Sequence, residues 1–143
     1  MITLRPATLD DSELLLFWRN QPAVRMASHN TQLITSDEHK SWLLASLNNP
    51  ARKLLIAEEN NLAVGTLRAD LKADTWLLSW TVSPNAQGRG IAKRMVAIAA
   101  LQLAMPISAE IKKDNIASIK VAESVGMVQQ TEIEGVLLFK KWH

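Results

Sequence analysis

Cysteine and tyrosine are absent from this chain, and glycine and proline number only five each. Without cysteine there is no disulfide framework, no thiolate metal site and no cysteine nucleophile. The histidines, His29, His39 and His143, are too scattered to read as a metal cluster, so no metal is expected. Charge of one sign is also lacking. The net charge is +2, which argues against a broad basic face for nucleic acid yet is compatible with one local basic site for an anionic ligand. Aromatic and basic residues do not interleave as they do in a single-strand binder, and no nucleic-acid partner is expected. Long apolar runs are missing too. The most apolar stretch, "MVAIAALQLAMPI", carries Gln102 and Pro106 and falls short of a membrane span. Arg5, Pro6, Asp10 and Asp11 interrupt the N-terminus before a signal core can form. The simplest expectation is a cytoplasmic protein, monomer or homodimer, with no membrane partner.

What is present is ordinary for a folded domain: 48% hydrophobic and 21% charged residues in a chain of 143. That length predicts one domain over residues 1–143 with a real hydrophobic core. "MITLRPA" alternates as a short strand that Pro6 ends. "DDSELLLFWRN" predicts a helix capped by Asp10 or Asp11, with Leu14, Leu15 and Trp18 on one face and Pro22 stopping it. "TSDEHKSWLLASL" predicts a second helix. Thr35 and Glu38 have capping-box spacing there, and His39, Trp42, Leu43 and Leu47 recur at helical intervals.

The period then changes. "KLLIAEE" and "LAVGTLRAD" predict a hairpin turning at Asn60-Asn61, and "TWLLSWTV" a further strand. "AKRMVAIAALQLAM" predicts a long helix and "ISAEIKK" a strand. "NIASIKVAESVG" predicts a helix capped by Asn115 and ended by Gly126, and "MVQQTEIEGVLLFKKW" two strands turning at Glu134-Gly135. The order β-α-α-β-β-β-α-β-α-β-β is that of an α/β domain with a mixed, mostly antiparallel sheet of about seven strands and helices on both faces.

The stretch "SPNAQGRGIA" stands between a strand and a helix and holds Gly88 and Gly90 around Arg89. A strand that runs into a glycine-rich turn opening a helix offers free N–H groups and positive dipole potential to an anion. Glycine lets the backbone approach phosphate oxygens closely, and Arg89 adds charge and paired donors. The dinucleotide fingerprint is excluded because Lys93 stands where its third glycine would be, and a P-loop because no G-K-[ST] follows. On the glycines alone, a ligand site and a tight ligand-free connection are equally good readings.

"QGRGIA" (Gln87 to Ala92) fits the pattern Q/R-x-x-G-x-G/A, and in this it resembles the acetyl-coenzyme A pyrophosphate loop of the GNAT family of N-acetyltransferases. Twenty-three residues beyond Ala92 begins "NIASIKVAESVGM", which resembles the family segment N-x-x-[AS]-x-x-x-x-x-x-x-G-[FM] through Asn115, Ser118, Gly126 and Met127. The element order matches the family across nearly the whole chain. The resemblance implies acetyl-CoA as cosubstrate and a strand Trp76–Val82 that splays from Ile107–Ile111 to admit the pantetheine arm. Backbone groups near Thr81, Val82 and Ser83 would pair with that arm. The N–H groups of Gln87, Gly88, Arg89, Gly90, Ile91 and Ala92 would bind the pyrophosphate. Asn115 would hydrogen-bond the cosubstrate, and Ser118 would reach its phosphate or pantetheine region. Lys120 is either near the 3′-phosphate or a solvated helix lysine.

Acetyl transfer to an amine needs a base for the amine proton, a donor to the thioester oxygen and a route for the leaving thiolate. Direct attack in a ternary complex suits a chain without cysteine. The family's frequent acid is a tyrosine, and the matching position here is Ala122. Ser118, Ser124 or water would have to serve, which a thiol pKa of about 8.5 tolerates. For the base, Asp70, Asp74, Glu38, His39 and His29 remain. Glu38 has its capping role and His39 lies on an apolar face, so His29, in the polar "ASHNTQ", is the candidate. "WRNQPAVR" and "EHKSWL" resemble the branch containing ribosomal-protein N-terminal and nucleotide-linked amino-sugar acetyltransferases. Arg19, Asn20 and Arg25 would then either contact an anionic acceptor or pin the loop through backbone carbonyls, and Trp18 and Trp42 pack the core. The expected acceptor is a small amine, foremost an amino-sugar nucleotide. A protein N-terminus is the alternative within catalysis, and a CoA-binding module with little turnover is the alternative outside it.

Overall fold

Three hairpins turn on residues with positive φ, and they organise the sheet. Asn60 and Asn61 take φ 54° and 65° between β2 (Arg52–Glu59) and β3 (Leu62–Lys72). Such mirror-image turns match the twist of paired strands, and asparagine tolerates them. Ala73, at φ 53°, lies between β3 and β4 (Thr75–Val82), and Glu134-Gly135, at 50° and 80°, between β6 (Val128–Ile133) and β7 (Val136–Lys141). With β1 (Ile2–Pro6) and β5 (Ile107–Lys112) these strands form one sheet of seven, ordered β1-β2-β3-β4-β5-β7-β6. Every neighbouring pair is antiparallel except β4 and β5, which are parallel. The computed structural model describes residues 1–104 and 106–142. His143 and the Met105 end of the expected long helix lie outside them.

Helices cover both faces, as expected. Side chains alternate across a strand, so β2 sends Leu54 and Ile56 to one face and Leu55 and Ala57 to the other. On the first face, α1 (Ser12–Arg19) and α3 (Ser36–Leu47) bury Leu15, Trp18 and Leu43 over Ala7, Leu54 and Ile56. On the second, α4 (Ile91–Leu103) and α5 (Ile116–Ser124) bury Ile91, Met95, Val96, Ala99, Val121 and Ala122 over the larger cluster.

The start of the chain differs from the sequence expectation in two respects. Pro22 does not merely stop α1. It opens an additional short helix, α2 (Pro22–Ala27), at a position where its missing N–H costs nothing. Nor does Asp10 or Asp11 cap the first helix by itself. A 3-10 turn, Leu9–Asp11, comes first, and Thr8 caps it in a box with Asp11. Asp11 is more useful as an acceptor: it takes the Thr8 N–H at 2.8 Å and both Arg5 Nη groups at 2.8 and 2.9 Å. These bonds, led by Arg5, hold its carboxyl below the usual range. Capping by Thr35 with Glu38 and by Asn115 with Ser118 follows the sequence expectation.

Gly65 on β3 is needed for close approach rather than for an unusual φ. A Cβ there would stand 2.8 Å from the Thr81 carbonyl oxygen and 3.2 Å from Met95 Sδ. Gly65→Ala must therefore push β3, β4 and α4 apart. The expected cost is about 1–3 kcal/mol, measured by urea denaturation, and an unchanged midpoint would contradict this packing.

Candidate active site

β4 and β5 pair only at Trp76–Ile107 and Leu77–Ser108 and then part. Each remains bonded on its outer side, β4 to β3 through Val82 and β5 to β7 through Lys112. Backbone polar groups alternate sides along a strand. The Trp76 N–H points to β5, where it donates to the Pro106 oxygen at 2.9 Å, and the Ser83 N–H points the other way, to the Val64 oxygen at 2.8 Å. Past the parting, the groups turned to the gap are therefore those of Trp80 and Val82. Of the other two residues expected to offer backbone groups there, Thr81 turns its groups to β3 while lining the cleft, and Ser83 donates to Val64 and accepts from the Ala86 N–H at 2.9 Å. A cleft of about 810 Å³ runs through the gap, with residues of both strands, α1, α3 and α5 on its walls.

The glycine stretch stands at one end of this cleft. After a 3-10 turn at Pro84–Ala86, Gly88 and Gly90 take φ 77° and 71°, which a residue with a Cβ adopts only at a cost. Among the described residues, no N–H from Gln87 through Lys93 donates to a protein acceptor; the first bond of α4 is from Arg94 N to the Gly90 oxygen at 3.3 Å. No side chain caps the helix. An uncapped helix start with aligned free donors is an anion site. The Arg89 guanidinium, expected to add charge to the turn, donates through Nη2 to Glu59, with Arg94 Nη1 3.8 Å from the same carboxylate. The Gln87 side chain donates to the Val82 oxygen at 3.0 Å and ties the loop to the end of β4. Gln87, Ala92, Asn115 and Ser118 line the cleft. Asn115 Oδ1 accepts from the Ser118 N–H, which leaves its amide nitrogen as a donor.

Toward the α1–α3 face the cleft becomes polar. His29 Nε2 lies 3.1 Å from Glu110 Oε1. Glu110, on β5, went unnoticed in the sequence because nothing local distinguishes it; strand alternation and the loop after α2 make the pair. Lys112 Nζ donates to the Met26 oxygen at 2.9 Å and holds the end of α2 against β5. Asn20 pins the neighbouring segment through the Ile34 oxygen and N–H, both at 2.9 Å, so of its two expected roles it performs the structural one. Arg19 and Arg68 also line this lobe, beside Trp18, Trp42 and His39. Of the other base candidates, Glu38 receives the Thr35 N–H and hydroxyl, Asp70 pairs with Arg52 at 2.6 Å, and Asp74 is exposed beside the Ala73 turn. Ala122 is wholly buried, Ser124 Oγ donates to the Val121 oxygen at 2.6 Å, and Lys120 is exposed.

The sequence matches the Acetyltransferase (GNAT) domain family over residues 1–128. No curated protein matches it significantly. Solved structures share the fold over almost the whole chain. Spermidine N-acetyltransferase from Vibrio cholerae, in complex with CoA and spermine, is 15% identical with a TM-score of 0.88, covering 99% of this chain and 95% of its own. Ribosomal-protein-alanine N-acetyltransferase from Brucella melitensis is 23% identical with a TM-score of 0.83, covering 99% of each. A putative acetyltransferase from Salmonella typhimurium with its cofactor acetyl-CoA is 20% identical with a TM-score of 0.79, covering 99% and 94%.

His39 provides a check on the polar lobe that needs no ligand. It is 4% exposed and its Nδ1 has no partner among the described residues. Burial, and then the charge of Arg19, hold its pKa below the ordinary 6.5. The unfolded chain therefore takes up this proton near pH 6.5 while the folded chain resists it, so stability falls as pH drops through that value. Urea denaturation between pH 7.5 and 5.5 should show the decline, and His39→Gln should flatten it; an equal slope in the variant would place the titration elsewhere.

Proposed function

The chain belongs to the GNAT acetyltransferase family, and we propose that it moves an acetyl group directly from acetyl-CoA to a primary amine within a ternary complex. One observation carries this reading: free amides of a glycine turn and free edge groups of a parted strand converge on one continuous cleft. Acetyl-CoA supplies an activated thioester, whose acyl carbon bonds the amine nitrogen as the carbon–sulfur bond breaks. The residues fit such a molecule. The unpaired N–H groups of Gln87 to Ala92 suit a diphosphate, with room around Gly88 and Gly90, where an added Cβ would meet no atom within 4 Å. The Trp80 and Val82 edge offers strand-like pairing to an amide-bearing arm, and Asn115 and Ser118 stand across the gap.

A backbone N–H on that edge is placed to donate to an oxygen gaining negative charge. On the opposite wall the His29–Glu110 pair takes the amine proton: Glu110 orients the ring, and His29, 62% exposed, passes the proton to water. The Ser118 hydroxyl or water protonates the departing sulfur, which needs little help at a thiol pKa of about 8.5. The acceptor is a small amine, with a nucleotide-linked amino sugar favoured by the sequence around "WRNQPAVR". Acetylation of a protein N-terminus is the second reading, supported by likeness to the ribosomal-protein-alanine enzyme.

Calorimetric titration with acetyl-CoA should show binding that Gly90→Glu weakens at least tenfold, since the variant sets a carboxylate against the free amides. Unchanged affinity would remove the loop from the site. Thiol release over a panel of amines, including amino-sugar nucleotides and N-terminal peptides, separates an enzyme from a silent CoA binder. Glu110→Gln and His29→Gln should each lower kcat about a hundredfold or more while leaving acetyl-CoA affinity intact. A full-rate Glu110→Gln protein would reject the pair as the proton acceptor.

A further inference from the structure

The polar lobe holds two arginines whose buried donors its carboxylates do not all satisfy. Arg19 reaches it from α1 and Arg68 from β3, and both line the cleft. Arg19 spends Nη2 on the Asn30 oxygen at 2.7 Å, but its Nη1 is buried and has no partner among the described residues. Arg68 Nε is buried as well; it lies 3.2 Å from Asp70 Oδ2, off the line that a hydrogen bond requires. Asp70 is already engaged by Arg52 at 2.6 Å, so Arg52 and Arg68 share one carboxylate. The other acids on the cleft wall, Glu38 and Glu110, hydrogen-bond Thr35 and His29 and, among the described residues, partner neither arginine. His39, held neutral, adds no positive charge of its own. Burial foremost, then Arg68 and Arg25, make Arg19 a weaker base than an ordinary arginine.

Half-buried like charges without an anion are costly, and planar guanidinium groups match the oxygens of carboxylate or phosphate in paired bonds. The Arg68 guanidinium also lies over the Trp42 ring, 6.0 Å from its centroid, which limits how it turns. We propose that Arg19 and Arg68 form an anion subsite for the acceptor, so that the amine to be acetylated carries a carboxylate or phosphate on the same molecule. This rests on the acetyltransferase reading and narrows it. Polycationic amines are disfavoured, because they bring no acceptor for these two guanidinium groups.

Trp18 and Trp42 in the lobe provide a binding signal independent of turnover. The full chain is titrated by tryptophan fluorescence, with and without saturating CoA, using matched pairs: glucosamine 6-phosphate against glucosamine, and L-alanine against L-alaninamide, with spermidine as the polycation. The anion-bearing member of at least one pair should bind tenfold or more tightly than its neutral partner. That preference should vanish in Arg68→Gln and Arg19→Gln and partly return in Arg68→Lys, while the CoA affinity of the Arg68 variants stays within about twofold of the parent. Preference in the phosphate pair alone assigns a phosphate, in the alanine pair alone a carboxylate. Equal binding within both pairs, tighter binding of spermidine, or a preference surviving in both glutamine variants would overturn the subsite. If CoA binds and thiol is released with neutral amines while neither pair discriminates, only the subsite falls. If CoA neither binds nor reacts, the acetyltransferase reading falls, and the paired titrations without CoA still decide the subsite.

Discussion

The structure depends on a hydrogen-bond ladder that stops. β4 and β5 share two bridged positions and then separate, although each continues fully paired on its other side. Buried backbone donors and acceptors left without partners are expensive, so such a gap in mid-sheet needs something to fill it. Trp80 and the Val82 N–H carry such groups, the Val82 oxygen being taken by Gln87, and the helix start at Gly90 carries a second set of free donors at the end of the same opening. The two sets share a cleft because β4 leads directly into the turn, and the Gln87 amide bonds the turn back to Val82.

Strand alternation divides the work on either side of the gap. Ala109 and Ile111 face α4 and α5 and belong to the apolar core, while Glu110 between them faces the polar lobe. β3 does the same with Leu67 and Ala69 in the core and Arg68 on the cleft. A one-residue slip in either strand would bury the charges and expose the core, so the register that stabilises the fold also fixes the chemistry of the lobe. The arginines are held by competing demands: Arg19 pins a loop with one nitrogen and has another without a partner among the described residues, and Arg68 divides Asp70 with Arg52. Arg89, by contrast, donates through one guanidinium nitrogen to Glu59.

Most of the fold was legible in the sequence. Strand bounds, the Asn60-Asn61 and Glu134-Gly135 turns and the Thr35 and Asn115 caps are local matters, governed by periodicity, positive φ and short side-chain bonds. The nucleotide-loop candidates were legible for the same reason, since Gln87 to Ala92 and Asn115 to Ser118 are contiguous stretches. The α2 helix was missed because Pro22 can end one helix or begin another, and the twenty residues around it give no periodicity strong enough to decide.

By itself, then, the sequence determined the order of the elements, the two faces of each and the turn with its glycines, because these follow from interactions among residues close in the chain. Only the tertiary structure decided which backbone groups of β4 face the gap, that His29 meets Glu110, that the Arg89 side chain pairs with Glu59 and that Arg19 and Arg68 share a lobe. Each of these joins residues far apart in the chain, and their partnership is set by sheet register and the packing of α1 to α3. No local pattern encodes it.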